Sequence, residues 1–171
     1  MKHKIFLLSL LFLSFIACSQ EIKLIRIMVD GSSVADKYLA DTETLVVYDS
    51  EKNGYRTENI KGLEKFRNLK IVEFQNLAFL KNYDFLRELK NCKKLYICTG
   101  HYFDFHILQN LTDLEYLEFS GFISDEEIDK IRKEGLDVSF LPNLKMLFFH
   151  PMNAKINFDI NIKYANGREG S

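Results

Sequence analysis

Apolar residues recur at fixed offsets three times between Asn59 and Phe119. Each copy opens with Asn or Asp and an apolar or aromatic residue, and apolar residues follow at offsets +4, +7, +10, +13 and +15. These offsets hold Leu63, Phe66, Leu69, Val72 and Phe74, then Leu86, Leu89, Cys92, Leu95 and Ile97, then Leu108, Leu111, Leu114, Leu117 and Phe119. The copies start at 59, 82 and 104, so they are 23 and 22 residues apart. A period of this length predicts stacked units, because one unit cannot bury its apolar edge alone.

The last two offsets of each copy, +13 and +15, predict a short strand, because alternate side chains of a strand point to the same face. A fourth copy follows after a longer spacing of 30 residues, with Leu144, Leu147 and Phe149 in the strand positions. Residues 42–48 have the character of a degenerate first copy, with Leu45 and Val47 in the same positions. The pattern therefore predicts four or five strands.

The segment before the repeats predicts an irregular N-terminal cap. Residues 21–30 alternate well enough for a first strand, with Ile22, Leu24, Ile27 and Val29 turned inward. Asp30-Gly31 is a turn signal, residues 34–39 predict a short helix, and residues 51–55 predict a turn.

The segments around the fourth copy predict one helix and one closing strand. Ser124 and Glu127 form a capping box ahead of an apolar edge, and Gly135 is a helix stop. Residues 156–164 alternate strictly, which predicts a strand that caps the open edge of the sheet, and residues 165–171 read as a polar tail.

The repeat Leu-x-x-Leu-x-Asn-Leu-x-x-Leu-x-Leu resembles the leucine-rich repeat, in its short, internalin-like bacterial form of about 22 residues. The resemblance covers residues 42–150 and implies one parallel strand per unit with a turn or 3₁₀ segment returning behind it. The implied fold class is an α/β solenoid: a short, curved parallel sheet between irregular N- and C-terminal caps. The family places Asn or Cys three residues past the last apolar residue of each strand, where this chain has Leu77, Gly100 and Phe122.

The N-terminal residues predict a signal peptide for export. Lys2 and Lys4 precede an apolar run of 13 residues, Ile5 to Ala17, which is too short for a bilayer span of about 20 residues and suits a signal peptide. The run ends in Phe15-Ile16-Ala17-Cys18, which resembles the lipobox of bacterial lipoproteins and implies a lipid on Cys18. The alternative is an ordinary signal peptide with Cys18 near the cut by chance.

Ser19 and Gln20 stand where some bacterial lipoproteins carry an inner-membrane retention Asp. The resemblance therefore implies a lipid-anchored protein of the bacterial cell envelope, at the outer membrane or cell surface. The predicted organisation is a signal peptide (1–17), a lipidated Cys with an N-terminal cap and degenerate first repeat (18–58), a repeat core (59–150), and a C-terminal cap strand with tail (151–171).

The charge balance and the motifs argue against two classes of function, nucleic-acid binding and catalysis. The 171 residues carry 23 basic and 24 acidic side chains with no basic stripe, which argues against a nucleic-acid partner. We find no phosphate-binding loop, nucleophile elbow or paired-carboxylate cleft, so the sequence predicts neither an enzyme nor a cofactor, and it does not point to a small-molecule substrate.

The candidate cysteine and metal sites have structural explanations. Cys92 and Cys98 lie about 20 Å apart along an extended strand, whereas a disulfide needs Cα atoms within about 7 Å. His101, Asp104 and His106 form a loose metal-like cluster, but Asp104 already has the turn-capping role of Asn59 and Asn82 in the other copies. We therefore predict no metal site.

The outward positions of the strands predict the functional surface. The middle outward row is Val46, Glu73, Tyr96, Glu118 and Phe148; one flank is Thr44, Ile71, Lys94, Tyr116 and Met146, and the other is Tyr48, Gln75, Cys98, Ser120 and His150. The predicted binding residues are Tyr48, Ile71, Glu73, Lys94, Tyr96, Tyr116, Glu118, Met146 and Phe148. Aromatic residues and Met are enriched in protein interfaces, so the expected partner is another protein.

Other interpretations of this surface remain open. The caps or the tail could fold over the face, or its residues could be ordinary β-formers. The same aromatic face could dock permanently as part of a structural, envelope-assembly lipoprotein. A glycan-binding accessory domain that uses Tyr48, Tyr96 and Tyr116 is the third possibility.

Overall fold

The structure, a computed structural model, describes residues 20–50, 52–152, 161–165, 167 and 169–170. The predicted signal peptide, Cys18 and most of the predicted closing strand lie outside the described residues. The described strands are β1 (Glu21–Met28), β2 (Ser33–Leu39), β3 (Thr44–Tyr48), β4 (Thr57–Lys61), β5 (Ile71–Leu77), β6 (Lys94–Tyr102), β7 (Tyr116–Phe122), β8 (Leu136–Asp137), β9 (Met146–Pro151), β10 (Ile162–Lys163) and β11 (Glu169–Gly170). A single α-helix in these ranges, α1, spans Asp125–Glu134.

The repeats build one parallel sheet in the order β3-β5-β6-β7-β9. Three 3₁₀ segments (Leu63–Lys65, Asp84–Glu88 and Phe105–Leu108) and helix α1 make the return connections between successive strands. All fifteen apolar positions of the three regular copies are buried in a single core. One strand and one return segment per repeat is a leucine-rich-repeat-like arrangement, as the sequence predicts. The curvature of the sheet stays a prediction.

The N-terminal cap is a second sheet, and here two predictions are wrong. Residues 33–39 form strand β2 and not a helix, because they pair antiparallel with β1 across the turn at Gly31, whose φ of +82° suits glycine. Strand β4 pairs antiparallel with the other edge of β1, which gives the order β2-β1-β4.

The inward face of β1 also differs from the prediction. Ile22 and Leu24 are buried as expected, but the alternation continues through Arg26 and Met28 and leaves Ile27 half-buried. Val29, predicted to face inward, lies in the turn and is exposed. A charged side chain therefore occupies an inward position of the N-terminal sheet.

Near the C-terminal end of β6, buried Thr99 makes side-chain contacts, whereas the positions at which the family carries Asn or Cys hold Leu77, Gly100 and Phe122. The Thr99 hydroxyl contacts the buried Tyr83 hydroxyl and accepts a hydrogen bond from the backbone N–H of His101 at 3.1 Å. Leu77 is fully buried, and Gly100 lies so close to Ala78 that an added Cβ would come within 2.9 Å of its Cα. This edge therefore combines buried hydroxyl contacts with a close backbone approach.

The helix between the third and fourth regular strands forms as predicted. Ser124 Oγ accepts a hydrogen bond from the Glu127 backbone N–H at 3.1 Å, and helix α1 ends at Gly135 with φ +83°. Ile128 and Ile131 are buried, so α1 packs on the side of the core opposite to the outward sheet face.

The C-terminal cap differs from the prediction in its described part. Ile162–Lys163 does not pair with β9 at the sheet edge; it pairs parallel with Leu136–Asp137 beyond helix α1. Glu169–Gly170 was predicted to lie in a polar tail. It forms a short strand that pairs antiparallel with Ile162–Lys163. The buried Ile162 and Leu136 explain this pairing, because it completes the core behind the sheet.

Candidate binding surface

The outward face of the five-stranded sheet carries the rows of side chains that the repeat register predicts. Pairing between neighbouring strands aligns the middle row, Val46, Glu73, Tyr96, Glu118 and Phe148. It aligns one flank, Thr44, Ile71, Lys94, Tyr116 and Met146, in the same way. On the other flank Tyr48 pairs with Gln75, Cys98 pairs with Ser120, and Ser120 pairs with His150. A register shift after Phe74 separates the first pair from the other two. We call this surface the sheet face.

Aromatic rings run across three strands of the sheet face. The ring centroids of Tyr96 and Tyr116 lie 5.0 Å apart, and those of Tyr116 and Phe148 lie 5.7 Å apart. The two tyrosines are half-buried by this stacking, whereas Phe148 remains 43% exposed beside an exposed Met146. The result is a continuous aromatic ridge on the outward surface of the sheet.

Two carboxylates flank the ridge. Glu118 accepts a hydrogen bond from the Tyr116 hydroxyl at 2.8 Å, and Glu73 accepts one from the Gln75 side-chain amide at 2.8 Å. Partial desolvation, together with the hydrogen bond and negative charge of Glu118, raises the pKa of Tyr116 to about 12. The Tyr116 hydroxyl therefore stays protonated as a donor to Glu118 at neutral pH.

Tyr48 belongs to a different part of the surface from the aromatic ridge. It is exposed on β3, the first strand of the sheet, and none of the described ring pairs joins it to Tyr96 or Tyr116. Its backbone carbonyl accepts a hydrogen bond from Arg26 Nη1 at 3.2 Å, which ties this end of the face to the N-terminal sheet.

Arg26 is the centre of a buried charge network that the sequence interpretation missed. Its Nε lies 2.7 Å from a carboxylate oxygen of Asp36, and its Nη1 lies 3.6 Å from Asp49. Its guanidinium also packs over the Tyr55 ring at 4.2 Å, while Asp49 accepts hydrogen bonds from the backbone N–H and the hydroxyl of Thr57, both at 2.7 Å. The sequence signal for this network was Arg26 itself, a charged residue at a position of β1 where the alternation places inward-facing side chains.

Beside this network lies a recess of about 390 Å³, lined in part by Tyr55, Arg56 and Phe79. The Arg56 guanidinium sits 4.8 Å from the centroid of the Phe79 ring. The recess opens at the ends of β3 and β5, and sequence reasoning did not predict it.

The cysteine and histidine candidates have structural roles. Both Cys92 and Cys98 are free thiols, and burial raises the pKa of Cys92 to about 12. Asp104 Oδ1 accepts the backbone N–H of His106 at 2.9 Å, which confirms the predicted turn cap, and the His106 ring stacks on Phe140. Within the described ranges, no group of three His, Cys, Asp or Glu side chains could hold a metal ion.

No helix in the part of the chain that the structure describes is long and apolar enough to cross a membrane.

Comparisons with known proteins find no matching family model and no matching curated protein. Among solved structures, the chain is similar to an internalin (inlF) from Listeria monocytogenes str. 4b F2365, with 25% sequence identity and a TM-score of 0.45. The match covers 69% of this chain and 38% of the internalin chain, so it spans well under half of that structure.

Proposed function

We propose that the protein is a non-enzymatic binding module of the bacterial cell envelope, anchored by a lipid on Cys18, whose sheet face binds another protein. In this proposal the sheet is concave and its regular strands hold the binding residues in fixed positions. The N- and C-terminal caps keep the core closed at both ends.

The single observation that supports the proposal is the aromatic ridge on the sheet face, formed by the half-buried Tyr96 and Tyr116 and the exposed Phe148. Aromatic residues near the centre of an interface contribute most to affinity, because they bury large areas with few rotatable bonds. Stacking fixes the tyrosine rings before a partner arrives, so binding them costs little further conformational entropy. The core itself gains little from Phe148 and Met146, which remain exposed to solvent.

Protein is a better match for this ridge than glycan. Neighbouring rings in the ridge are tilted by 41° to one another and do not form one flat platform. Tyr48, the third aromatic residue of the glycan hypothesis, lies outside the ridge. Permanent docking to an envelope component uses the same face and differs from a reversible interaction only in its dissociation rate.

Site-specific photo-crosslinking in cells tests the sheet face. A benzoyl-phenylalanine at position 96 should give protein adducts on irradiation, whereas the same group at Glu88, on the return side of the core, should give none. The adducts should be lost when Tyr116→Ala and Phe148→Ala are added. Equal crosslinking from positions 96 and 88, or no adducts from position 96, contradicts binding through this face.

Metabolic labelling tests the anchor separately. Radiolabelled palmitate should enter the wild-type protein and should not enter a Cys18→Ala variant. A wild-type protein that takes up no label refutes the lipid anchor and leaves the binding surface to be judged by the crosslinking.

A further inference from the structure

The centre of the sheet face is an aromatic ring between two carboxylates. Tyr96 pairs with Glu73 on one neighbouring strand and with Glu118 on the other, so the three residues form one straight row across β5, β6 and β7. Neighbouring strands are about 4.8 Å apart, which places the two glutamate Cα atoms about 10 Å apart with the ring between them. We call Glu73, Tyr96 and Glu118 the acid–aromatic row.

The carboxylates of the acid–aromatic row have hydrogen-bond donors but no cation. Gln75 donates to Glu73 and Tyr116 donates to Glu118, and among the described residues neither glutamate forms an ion pair. Lys94 lies on the same face, two residues before Tyr96, yet it too forms no ion pair within the described ranges. The central charge of the face is therefore open to a partner.

Two other half-buried glutamates of the described chain form ion pairs with lysines. Glu115, one residue before the sheet face begins on β7, is bridged by Lys145 at 2.6 Å and by Lys93 at 3.2 Å. Glu58 is paired with Lys81 at 2.9 Å. Glu58 and Glu115 are half-buried like Glu73 and Glu118, so among these four glutamates only the two of the acid–aromatic row lack a lysine partner in the described part of the chain. Among the described residues, the exposed carboxylates of Glu64 and Glu88 lack one as well.

A basic side chain is the group that this arrangement would attract most strongly. The face of a tyrosine ring attracts a cation within about 6 Å of its centroid, and the attraction grows when the pair is removed from water. A carboxylate on each side adds charge-assisted hydrogen bonds, which are about twice as strong as neutral ones. Tyr116 stacks against Tyr96 and holds its ring in place, so these elements are positioned before binding.

We propose that the acid–aromatic row is the receptor for an arginine or lysine side chain of the protein partner, which lies over the Tyr96 ring between Glu73 and Glu118. This inference rests on the proposed function, since it names the chemistry of the partner at the centre of the sheet face. The aromatic ridge then supplies apolar contact area beside the basic side chain, and the positive charge of Lys94 opposes its binding.

Selection of peptides from a random phage-displayed library on the full chain, purified in detergent, tests the inference. Peptides that bind wild type but not Tyr96→Ala/Tyr116→Ala should be enriched in arginine or lysine. Their dissociation constants should rise at least tenfold on Glu73→Gln/Glu118→Gln, which removes both charges and keeps side-chain shape. Lys94→Gln should lower them about two- to fivefold, because it removes the opposing charge.

The matched control is Glu64→Gln/Glu88→Gln, which removes two exposed carboxylates from the return side of the core and should leave peptide affinity within twofold. Peptides that need the two tyrosines but show no basic enrichment, and bind Glu73→Gln/Glu118→Gln as tightly as wild type, overturn the inference and leave the proposed function standing. A library that yields no peptide dependent on the two tyrosines contradicts both.

Discussion

Replacing Arg26 by Met should be among the most damaging single changes outside the apolar core. Arg26 is only 5% exposed, and it joins three parts of the fold: Asp36 on β2, the Tyr48 carbonyl and Asp49 at the end of β3, and the Tyr55 ring. Methionine keeps most of the buried aliphatic volume. The change therefore isolates the charge and its hydrogen bonds from packing.

The expected loss in the free energy of unfolding depends on the two carboxylates that Arg26→Met leaves without their partner. Removing one partner of a buried ion pair typically costs about 3–5 kcal/mol, because the other charge stays buried and unpaired. Asp36 is 26% exposed and can recover water, and the carboxylate of Asp49 keeps its two hydrogen bonds from Thr57, so we expect the lower end, about 3 kcal/mol. In a chain of this length that corresponds to a fall in Tm of about 6–12 °C.

Urea and thermal unfolding of the variant, followed by circular dichroism, measure this cost. Adding Asp49→Asn to Arg26→Met removes the orphaned charge and should restore about 1–2 kcal/mol relative to the sum of the single changes. The control is Lys37→Met, which breaks the exposed Lys37–Glu21 pair and should cost less than about 1 kcal/mol. The reasoning is refuted if Arg26→Met costs no more than Lys37→Met, or if the two changes at 26 and 49 are additive.

Three further predictions concern the sheet and its two faces. Gly121→Ala should lower the unfolding free energy by about 1–3 kcal/mol in urea titration, because its Cβ would come within 2.4 Å of the Thr99 Cγ2 and 3.0 Å of the Thr99 carbonyl; an unchanged midpoint contradicts this. Iodoacetamide at pH 8 should alkylate Cys98 but not the buried Cys92, whose pKa is raised to about 12, and mass spectrometry showing equal labelling refutes the burial. The pKa of Tyr116 in the folded state is raised to about 12, so the tyrosine of the unfolded state loses its proton first as the pH rises. The free energy of unfolding should therefore fall between pH 10 and 12, and more steeply in the wild-type protein than in Tyr116→Phe. Equal slopes in the two proteins count against the effect.

The register of the sheet could be predicted because the repeats fix it. Leucine-type residues at +13 and +15 must face the core, and the residue between them must then face outward on every strand. This is why the rows through Tyr96 and Tyr116 are aligned in the structure as in the sequence interpretation. What the rows bind does not follow from the register, because the repeat leaves the outward residue types free.

The N-terminal cap could not be derived in the same way. Val34 and Tyr38 are four residues apart, a spacing that suits one face of a helix as well as one face of a strand, and antiparallel pairing with β1 decides for the strand. Arg26 was overlooked because hydrophobicity was the only criterion for an inward position. Its partners lie 10 and 23 residues further along the chain, at Asp36 and Asp49, and only the fold brings them together.

The described part of the C-terminal cap was misplaced for a related reason. Strict alternation indicates a strand but does not say which edge it joins. The described residues Ile162 and Lys163 follow the alternation and pair with Leu136 and Asp137, which continue from helix α1. A short strand beyond a helix was not predicted as a pairing partner, because two residues give no periodic signal.

The most direct measurement of binding through the sheet face is the affinity of Tyr96→Ser/Tyr116→Ser for the protein captured by crosslinking at position 96, measured beside the stability of the same variant. Two truncated hot-spot tyrosines should weaken binding at least about 100-fold, while Tm stays within a few degrees of wild type because both side chains lie on the outward face. Glu64→Gln/Glu88→Gln should bind like wild type. Unchanged affinity in the tyrosine variant, or a loss of affinity that only accompanies unfolding, would contradict a binding role for the face.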